Sequence, residues 1–574
     1  MWWYFAAIAA FATDPEAQEP GISTTFTDDF EIRYRRGAVA SPDPAYPGVF
    51  DYIEQVNRFN ANIRSGRWAF EAQIDEVALF LNRYYLDDVL VVENELVVPD
   101  LWNPMPGSSY LNPEKLKANW EGEHATLTFG DAYAAFGRGA ALNLNRNVDI
   151  DIDTSVQGVK ALLRPGAWDI TLVGGQLNRQ QVAQDNPNDG IFGDLRHTMG
   201  AIRAERFGLG PANVGAHAVV YKFTTEPGFT SGFDQVPGAT PLTAVAGLTT
   251  ELTSVAGFDW YAEGDVFGFQ DMPNALPDSK DDAPGYAAYL SASTYPGPFV
   301  VLLEGKRYLQ ADRVNGLLGP EQYEVATAPT LEYERAINED TSAALNSNDI
   351  FGGRAELDWS AIAGELTPYI AMAAFRDRDL GGAHANGTPE TITHPTAGVE
   401  YVADGRSVIG NIGFRTDDRD GSAVPTPGGP DPAAWCGAGP RRDRDRQIHG
   451  DVVVEFPVGP LSLDIAAATE LFCVGVNPLQ GPDFMTVTSG YTLAYGSDVA
   501  FTWFLDYTTQ PIDSVGNLGS DHLYGAAELQ IKPAPAFTLK AFYGAYKAGI
   551  RCSGGQCRQL PGFDGARVSA VATF

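Results

Sequence analysis

The chain has 574 residues, of which 44% are apolar and 20% charged, and its formal net charge is −34. A mean hydropathy of −0.16, with no run near the ~18 consecutive apolar residues of a spanning helix, excludes a membrane protein built from helices. So strong a negative charge also argues against a nucleic-acid partner, whose phosphates need neutralising lysines and arginines.

The first residues have the features of a secretory signal. Residues 1–12 form an apolar run that ends in small residues, although no lysine or arginine precedes it. We therefore expect a signal peptide over residues 1–17, cleaved near Ala12 or Ala17. A single domain is expected to follow over residues 22–574.

From residue 22 onward the sequence repeats one pattern of short and long connections. Alternating segments of about ten residues are joined by a very short turn and then by a long polar loop. Dipeptides such as Ser65-Gly66 and Gly130-Asp131 supply the short turns, and stretches such as residues 312–349 supply the loops. Strict alternation of this kind is typical of bacterial outer-membrane barrels, whereas a soluble two-sheet protein does not need it.

Alternation within the segments fits a barrel that faces lipid outside and water inside. Along residues 354–359, charged Arg, Glu and Asp alternate with apolar Ala, Leu and Trp. Trp168, Trp260, Trp359 and Phe537 stand beside short turns, where barrels carry an aromatic girdle. The sequence therefore predicts an all-β fold: a single large antiparallel transmembrane β-barrel of about 24 strands (roughly 22 to 26), with short periplasmic turns and long extracellular loops.

The most distinctive local stretch is Gly130-Asp-Ala-Tyr133 followed by Phe136-Gly-Arg-Gly139. Together with Asp153, Gly158 and Lys160 it resembles an uncharacterised family of porin-like bacterial outer-membrane barrels, over residues 50–310 and the last strand. The resemblance implies the barrel fold and supplies no activity. From the residues themselves, Arg138 either reaches into the lumen or satisfies a structural carboxylate beside a bent strand.

Charged residues fall on the faces that we assign to the barrel interior. Such residues either set ion preference or pair with one another across strands. The residues that we assign to the lumen are Arg138, Lys160, Arg164, Arg203, Glu205, Arg354, Glu356 and Asp358. Acidic stretches such as Asp149–Asp153 could bind calcium, but they lack the EF-hand spacing, and solvated acidic loops are the preferred interpretation.

No catalytic residue, metal site or cofactor is predicted. Seven histidines are present, but neither a His-Glu-x-x-His nor a Gly-x-Ser-x-Gly motif occurs. The four cysteines fit an oxidising compartment, and in the barrel topology they lie on the extracellular side. We expect disulfide bonds Cys436–Cys473 and Cys552–Cys557.

The last residues, Gly565–Phe574, alternate between an apolar face and a mixed, more polar face. They resemble the closing strand of bacterial outer-membrane barrels, which implies that this strand, ending in Phe574, engages the barrel-assembly machinery. We expect an outer-membrane porin-like channel, surrounded by outer-membrane lipid, through which small hydrophilic solutes diffuse. The alternatives are a plugged surface barrel with a binding or structural role and a barrel hydrolase.

Overall fold

A computed structural model gives the fold. It describes residues 22–35, 51–86, 89–91, 109–147, 152–180, 197–223, 241–271, 282–314, 349–377, 390–419, 444–473, 484–509, 523–546, 549–553, 556–560 and 563–574. The expected signal peptide lies outside these residues. In the part of the chain that they cover, no helix has the length and hydropathy needed to cross a membrane.

A closed antiparallel barrel of 24 strands forms the protein, as the sequence predicted. Its strands are β1 (Ile22–Arg35), β2 (Asp51–Ser65), β3 (Trp68–Leu86), β5 (Ser109–Glu121), β6 (Ala125–Ala132), β10 (Ile152–Leu163), β11 (Trp168–Gln180), β12 (Thr198–Leu209), β13 (Ala212–Lys222), β14 (Leu242–Val255), β15 (Phe258–Gln270), β16 (Gly285–Thr294), β17 (Phe299–Leu309), β18 (Asp349–Trp359), β19 (Leu366–Asp377), β20 (Glu390–Ala403), β21 (Arg406–Arg419), β22 (Arg444–Val458), β23 (Leu461–Cys473), β24 (Phe484–Tyr495), β25 (Val499–Thr508), β26 (Leu523–Ala534), β27 (Phe537–Tyr546) and β30 (Phe563–Thr573). Short pieces complete the described structure: β4 (Val89–Val91), β7 (Ala134–Phe136), β8 (Leu142–Leu144), β9 (Arg146–Asn147), β28 (Gly549–Ser553), β29 (Gln556–Leu560) and a 3-10 turn at Ala311–Val314.

The barrel closes between its first and last strands. β1 runs antiparallel to β30, with Glu31 opposite Ser569. At the end of the chain, Phe574 and Phe26 exchange backbone hydrogen bonds of 2.8 and 3.0 Å. Each barrel strand therefore pairs on both sides, and the described sheet has no open edge. An open edge would expose backbone N–H and C=O groups to lipid, which offers them no hydrogen-bond partners.

Short turns gather at one end of the barrel. Tight connections with glycine at positive φ occur at Gly66 (φ 57°), Gly166 (φ 66°) and Gly405 (φ 71°), where a side chain would be strained. At the other end the connections include residues 36–50, 181–196 and 315–348, which lie outside the described residues. The predicted alternation of short and long connections is thus confirmed.

One predicted turn is wrong. Gly130-Asp131 lies within β6, and the hairpin between β5 and β6 turns at residues 122–124. Gly130 has φ 92°, and a Cβ there would lie 1.8 Å from the carbonyl oxygen of Leu116. The Asp131 carboxylate accepts a hydrogen bond of 2.8 Å from the Leu116 backbone N–H, so this Gly-Asp pair bends a strand that stays paired.

The outer face of the barrel is apolar. Leu248, Val266 and Ile370 are among the most exposed apolar side chains, and Leu248 is 67% exposed. Trp168 and Trp359 stand exposed beside short turns, where the aromatic girdle was expected. Along β18 the buried or half-buried charged side chains alternate with exposed Phe351, Leu357 and Trp359, which confirms the predicted alternation.

Candidate channel constriction

Between β6 and β10 the chain folds into the barrel. We call residues 133–147, which include β7, β8 and β9, the inward segment. β7 and β8 form a small hairpin with Ala134 opposite Leu144. The apolar side chains of this hairpin are buried against inward-facing side chains of the strands from β10 to β20, which include Val156, Val173, Val219, Tyr221, Val245, Phe267 and Phe375. The inward segment therefore occupies one side of the barrel interior.

Both ends of the inward segment are held by the same carboxylate. The Tyr133 hydroxyl donates to Asp153 Oδ1 at 2.6 Å, and Arg146 Nε lies 3.3 Å from Asp153 Oδ2. Lys115 of β5 also pairs with Asp153 and donates to the Tyr133 hydroxyl at 2.6 Å. Asp153, a member of a possible calcium loop in the sequence, is instead buried and neutralised by Lys115 and Arg146.

The tip of the inward segment rests on β15. The Arg138 backbone N–H donates to Glu263 Oε2 at 2.7 Å. Gly137 has φ 57°, and a Cβ there would lie 2.2 Å from Glu263 Oε1, so only glycine allows this approach. A further hydrogen bond of 2.7 Å joins the Tyr221 hydroxyl to the Ala141 carbonyl.

Arg138 contacts the inner wall through both its backbone and its side chain. Its backbone, and not its guanidinium, satisfies the Glu263 carboxylate. The guanidinium is exposed and lies 4.8 Å from the ring centroid of Tyr261 and 5.7 Å from that of Tyr289. These cation–π contacts hold a positive charge at the inner surface without neutralising it.

Most of the other predicted lumen residues are paired on the inner face. Lys160 Nζ donates to the Tyr133 carbonyl at 2.6 Å, which ties β10 to the inward segment. Arg203 Nη2 lies 3.1 Å from Glu205 Oε1. Arg354 is buried between Glu304, at 3.1 Å, and Glu356, with which it also pairs. These paired charges lie on the inner face of the barrel. The role of the predicted residues in selectivity stays a prediction.

Arg164 and Asp358 lie away from the inward segment, near the short-turn end of the barrel. Arg164 follows β10 directly, is exposed, and donates to Thr126 Oγ1 at 3.5 Å. Asp358 is the last charged residue of β18 on the face that carries Arg354. The structure therefore spreads the predicted residues between the surroundings of the inward segment and the short-turn end of the barrel.

Sequence reasoning missed a buried cluster beneath the inward segment. His217 of β13 meets Asp265 of β15, with Nε2 and Oδ1 2.6 Å apart, and Glu263 completes a group of potential metal ligands. The Phe136 ring packs 5.8 Å from the His217 ring. The sequence feature that could have indicated this cluster is Gly247, a glycine in the middle of β14 that stands opposite both His217 and Asp265.

On the wall formed by β21 to β27, side chains that face the interior remain exposed. In the described residues, the hydrophobic cluster around the inward segment includes no side chain of these strands. Val453 and Phe504 face the interior and are 42% and 39% exposed, and Glu455 is also exposed. Thr492 and Thr502 on the same face hydrogen-bond to each other at 2.9 Å. Space therefore remains beside this wall in the described part of the barrel.

The predicted disulfide pairs remain predictions. Cys473, the last residue of β23, is disulfide-bonded, but Cys436 lies outside the described residues. Cys552 and Cys557 lie directly opposite each other in the β28–β29 hairpin, a backbone arrangement that suits a bond between them.

Comparison with known proteins gives fold-level likeness only. No protein-family model matches the chain, and no curated protein does. The siderophore receptor PirA from Pseudomonas aeruginosa is 8% identical with a TM-score of 0.44, covering 97% of this chain and 81% of that one. The outer membrane protein opdK from Pseudomonas aeruginosa is 10% identical (TM-score 0.35; 69% of this chain and 94% of that one). OccAB4 from Acinetobacter baumannii is 11% identical (TM-score 0.35; 70% and 95%).

At these identities and TM-scores the likenesses carry no argument about the function of this chain. The architecture of the barrel indicates its cellular location. An even number of antiparallel strands, closed without an edge, with an apolar outer face and short turns at one end, is the architecture of bacterial outer-membrane proteins. The chain is therefore a bacterial outer-membrane β-barrel.

Proposed function

We propose that the protein is a channel through which small hydrophilic solutes diffuse across the outer membrane, narrowed by the inward segment. The observation that carries this proposal is the uncovered inner wall of β21 to β27. Side chains that face the interior there, such as Val453, Glu455 and Phe504, remain exposed although they lie inside a closed sheet. A barrel of this strand number is wide enough to keep an aqueous lumen beside an inward-folded segment.

The inward segment gives the channel its selectivity. It brings Arg138 to the inner surface, where among the described residues the guanidinium contacts aromatic rings and forms no ion pair. A fixed charge at a narrow point of a pore acts on every permeating ion, whereas the positive charges of Arg203 and Arg354 are compensated by neighbouring glutamates. Arg138 is therefore the residue that discriminates by charge.

Swelling of proteoliposomes in isotonic solutions of uncharged sugars tests this function. Liposomes that contain the purified protein should swell in monosaccharides and progressively more slowly in larger sugars. Liposomes prepared with heat-denatured protein serve as the control. Equal, background swelling in every sugar would overturn the proposal.

The second candidate is a barrel closed to solutes that binds a partner at the cell surface. The observation that favours it is the apolar packing of the inward segment, in which Phe136, Leu142 and Leu144 are fully buried. Background swelling in the sugar series, with the protein shown to be folded, would be the result expected of such a barrel.

Assembly of the barrel is proposed to use its last strand. β30 closes the sheet against β1, and the side chain of Phe574, directly after β30, is exposed. A strand that must form the final seam is suited to recognition by the barrel-assembly machinery before the seam closes. Removal of Phe574 should lower the amount of folded protein in outer membranes, while the total amount synthesised is unchanged.

A further inference from the structure

Three neighbouring strands bring His217 and Asp265 together. His217 of β13 stands opposite Gly247 of β14, and Gly247 stands opposite Asp265 of β15. Because Gly247 has no side chain, the imidazole and the carboxylate meet above it. A Cβ on Gly247 would lie 1.9 Å from Asp265 Oδ1 and 2.5 Å from His217 Nε2. Glu263, two residues before Asp265, faces the same side of β15.

All three side chains are deeply buried and incompletely satisfied. His217, Glu263 and Asp265 are 5%, 5% and 2% exposed. Among the described residues, His217 Nδ1, Glu263 Oε1 and Asp265 Oδ2 have no hydrogen-bond partner. Buried polar atoms are almost always paired in folded proteins, so three unpaired atoms in one group indicate that a partner belongs there.

The charge of the group points to a cation as that partner. Two carboxylates and one imidazole share the site, and burying carboxylates without compensation is costly. Arg203 lies opposite His217 in the ladder, but its guanidinium pairs with Glu205 at 3.1 Å. Arg138 gives Glu263 only its backbone N–H.

We propose that His217, Glu263 and Asp265 bind one divalent transition-metal ion of the Zn²⁺ or Mn²⁺ class. One atom from each residue lies within 4.8 Å of the others. Ligand atoms about 2.1 Å from a tetrahedral ion lie about 3.4 Å apart. Binding therefore requires side-chain rotations that open the 2.6 Å contact between His217 and Asp265 and shorten the longer separations. A nitrogen with two carboxylate oxygens suits Zn²⁺ and Mn²⁺ better than Ca²⁺, which takes oxygen ligands alone.

Metal binding would stabilise the constriction. The Glu263 carboxylate, whose Oε1 has no hydrogen-bond partner among the described residues, accepts the Arg138 N–H on Oε2. The Tyr261 hydroxyl also donates to Oε2, at 2.5 Å. An ion that fixes Glu263 therefore also fixes the carboxylate to which the tip of the inward segment donates its hydrogen bond. The proposal rests on the fold and the cluster, and it holds whether or not the barrel conducts.

Binding of Co²⁺ to the detergent-solubilised full-length protein tests the site, because Co²⁺ reports its ligands by visible absorption. After treatment with a chelator, the wild type should bind one equivalent of Co²⁺ with a visible spectrum that Zn²⁺ abolishes. Glu263→Gln and Asp265→Asn should each weaken this binding by at least about 10-fold. Asp451→Asn, which removes one inward carboxylate of β22 outside the cluster, should bind as the wild type does and is the matched control.

A second measurement needs no variant and so does not depend on the variants folding. Zn²⁺ added to chelator-treated wild type should raise the midpoint of urea unfolding, because an ion that binds only the folded state stabilises it. The proposal is overturned if the Glu263→Gln/Asp265→Asn double variant keeps the Co²⁺ spectrum. It is also overturned if Zn²⁺ leaves the wild-type midpoint unchanged.

Discussion

The Tyr133 hydroxyl donates a hydrogen bond of 2.6 Å to Asp153 Oδ1 at the point where the chain leaves β6 and turns into the barrel. Arg146, where the inward segment returns to the wall, contacts the other oxygen of the same carboxylate at 3.3 Å. One buried side chain thus closes the base of the inward segment. It therefore fixes the base of the segment inside the barrel.

Replacing Asp153 should loosen the inward segment while the barrel itself stays closed. Asp153→Asn leaves Lys115 buried without its counter-charge, a loss of about 3–5 kcal/mol for a buried pair. We expect the backbone amides of residues 134–144 to exchange hydrogen at least tenfold faster, measured by mass spectrometry on the folded protein. Asp451→Asn is the control and should leave that exchange unchanged. Unaltered exchange in Asp153→Asn would show that Asp153 does not hold the segment.

Reversing the charge at the tip should change ion preference. Arg138→Glu replaces an unneutralised guanidinium with a carboxylate at the same place, so the K⁺ to Cl⁻ permeability ratio should rise by roughly twofold or more. The reversal potential under a KCl gradient measures this ratio. Arg138→Lys keeps the charge and should leave the ratio near that of the wild type. If the permeability ratio is the same with arginine, glutamate or lysine at position 138, Arg138 does not lie on the permeation path.

The two faces of the sheet should tolerate charge very differently. Leu248, near the middle of β14, is 67% exposed on the outer face, whereas Thr502 of β25 faces the interior. Leu248→Arg places a charge in lipid and should lower the free energy of unfolding by about 2–4 kcal/mol. Thr502→Arg should cost much less, since water can reach it. Urea unfolding in lipid vesicles compares the two, and equal costs would contradict the assignment of faces.

Gly247 should be far more sensitive to substitution than a glycine on the outer face. A Cβ at Gly247 would overlap Asp265 and His217, whereas at Gly264 of β15 none of the described atoms lies within 4 Å of the corresponding position. Gly247→Ala should therefore lower the free energy of unfolding by about 1–3 kcal/mol, and Gly264→Ala should be nearly neutral. The same unfolding assay, run without added metal, measures both. A neutral Gly247→Ala would mean that the cluster is looser than its contacts indicate.

The barrel could be predicted because its signals are local. Alternation has a period of two residues, and the glycines at Gly66, Gly166 and Gly405 mark turns within a few positions. Gly130-Asp131 shows the limit of such signals. The same dipeptide suits a hairpin turn and a bend within a strand, and only the approach of Leu116 from β5 decides between them.

The position of the inward segment could not be predicted because its contacts are long-range. Tyr133 reaches Asp153 across 20 positions, and Arg138 reaches Glu263 across 125. The short pieces β7 and β8 also alternate, so the sequence cannot show that they leave the wall of the barrel. The cluster of His217 and Asp265 likewise depends on the register of three strands.

Single-channel conductance in planar lipid bilayers tests the channel and its constriction together. The variant to compare replaces residues 134–144 with a short Gly-Ser linker, which keeps the barrel strands, Tyr133 and Arg146. The wild type should give discrete conductance steps in symmetric KCl, and the shortened variant should give larger steps because part of the lumen has been cleared. No steps from folded wild-type protein, or identical steps from the two proteins, would contradict a water-filled pore that narrows at the inward segment.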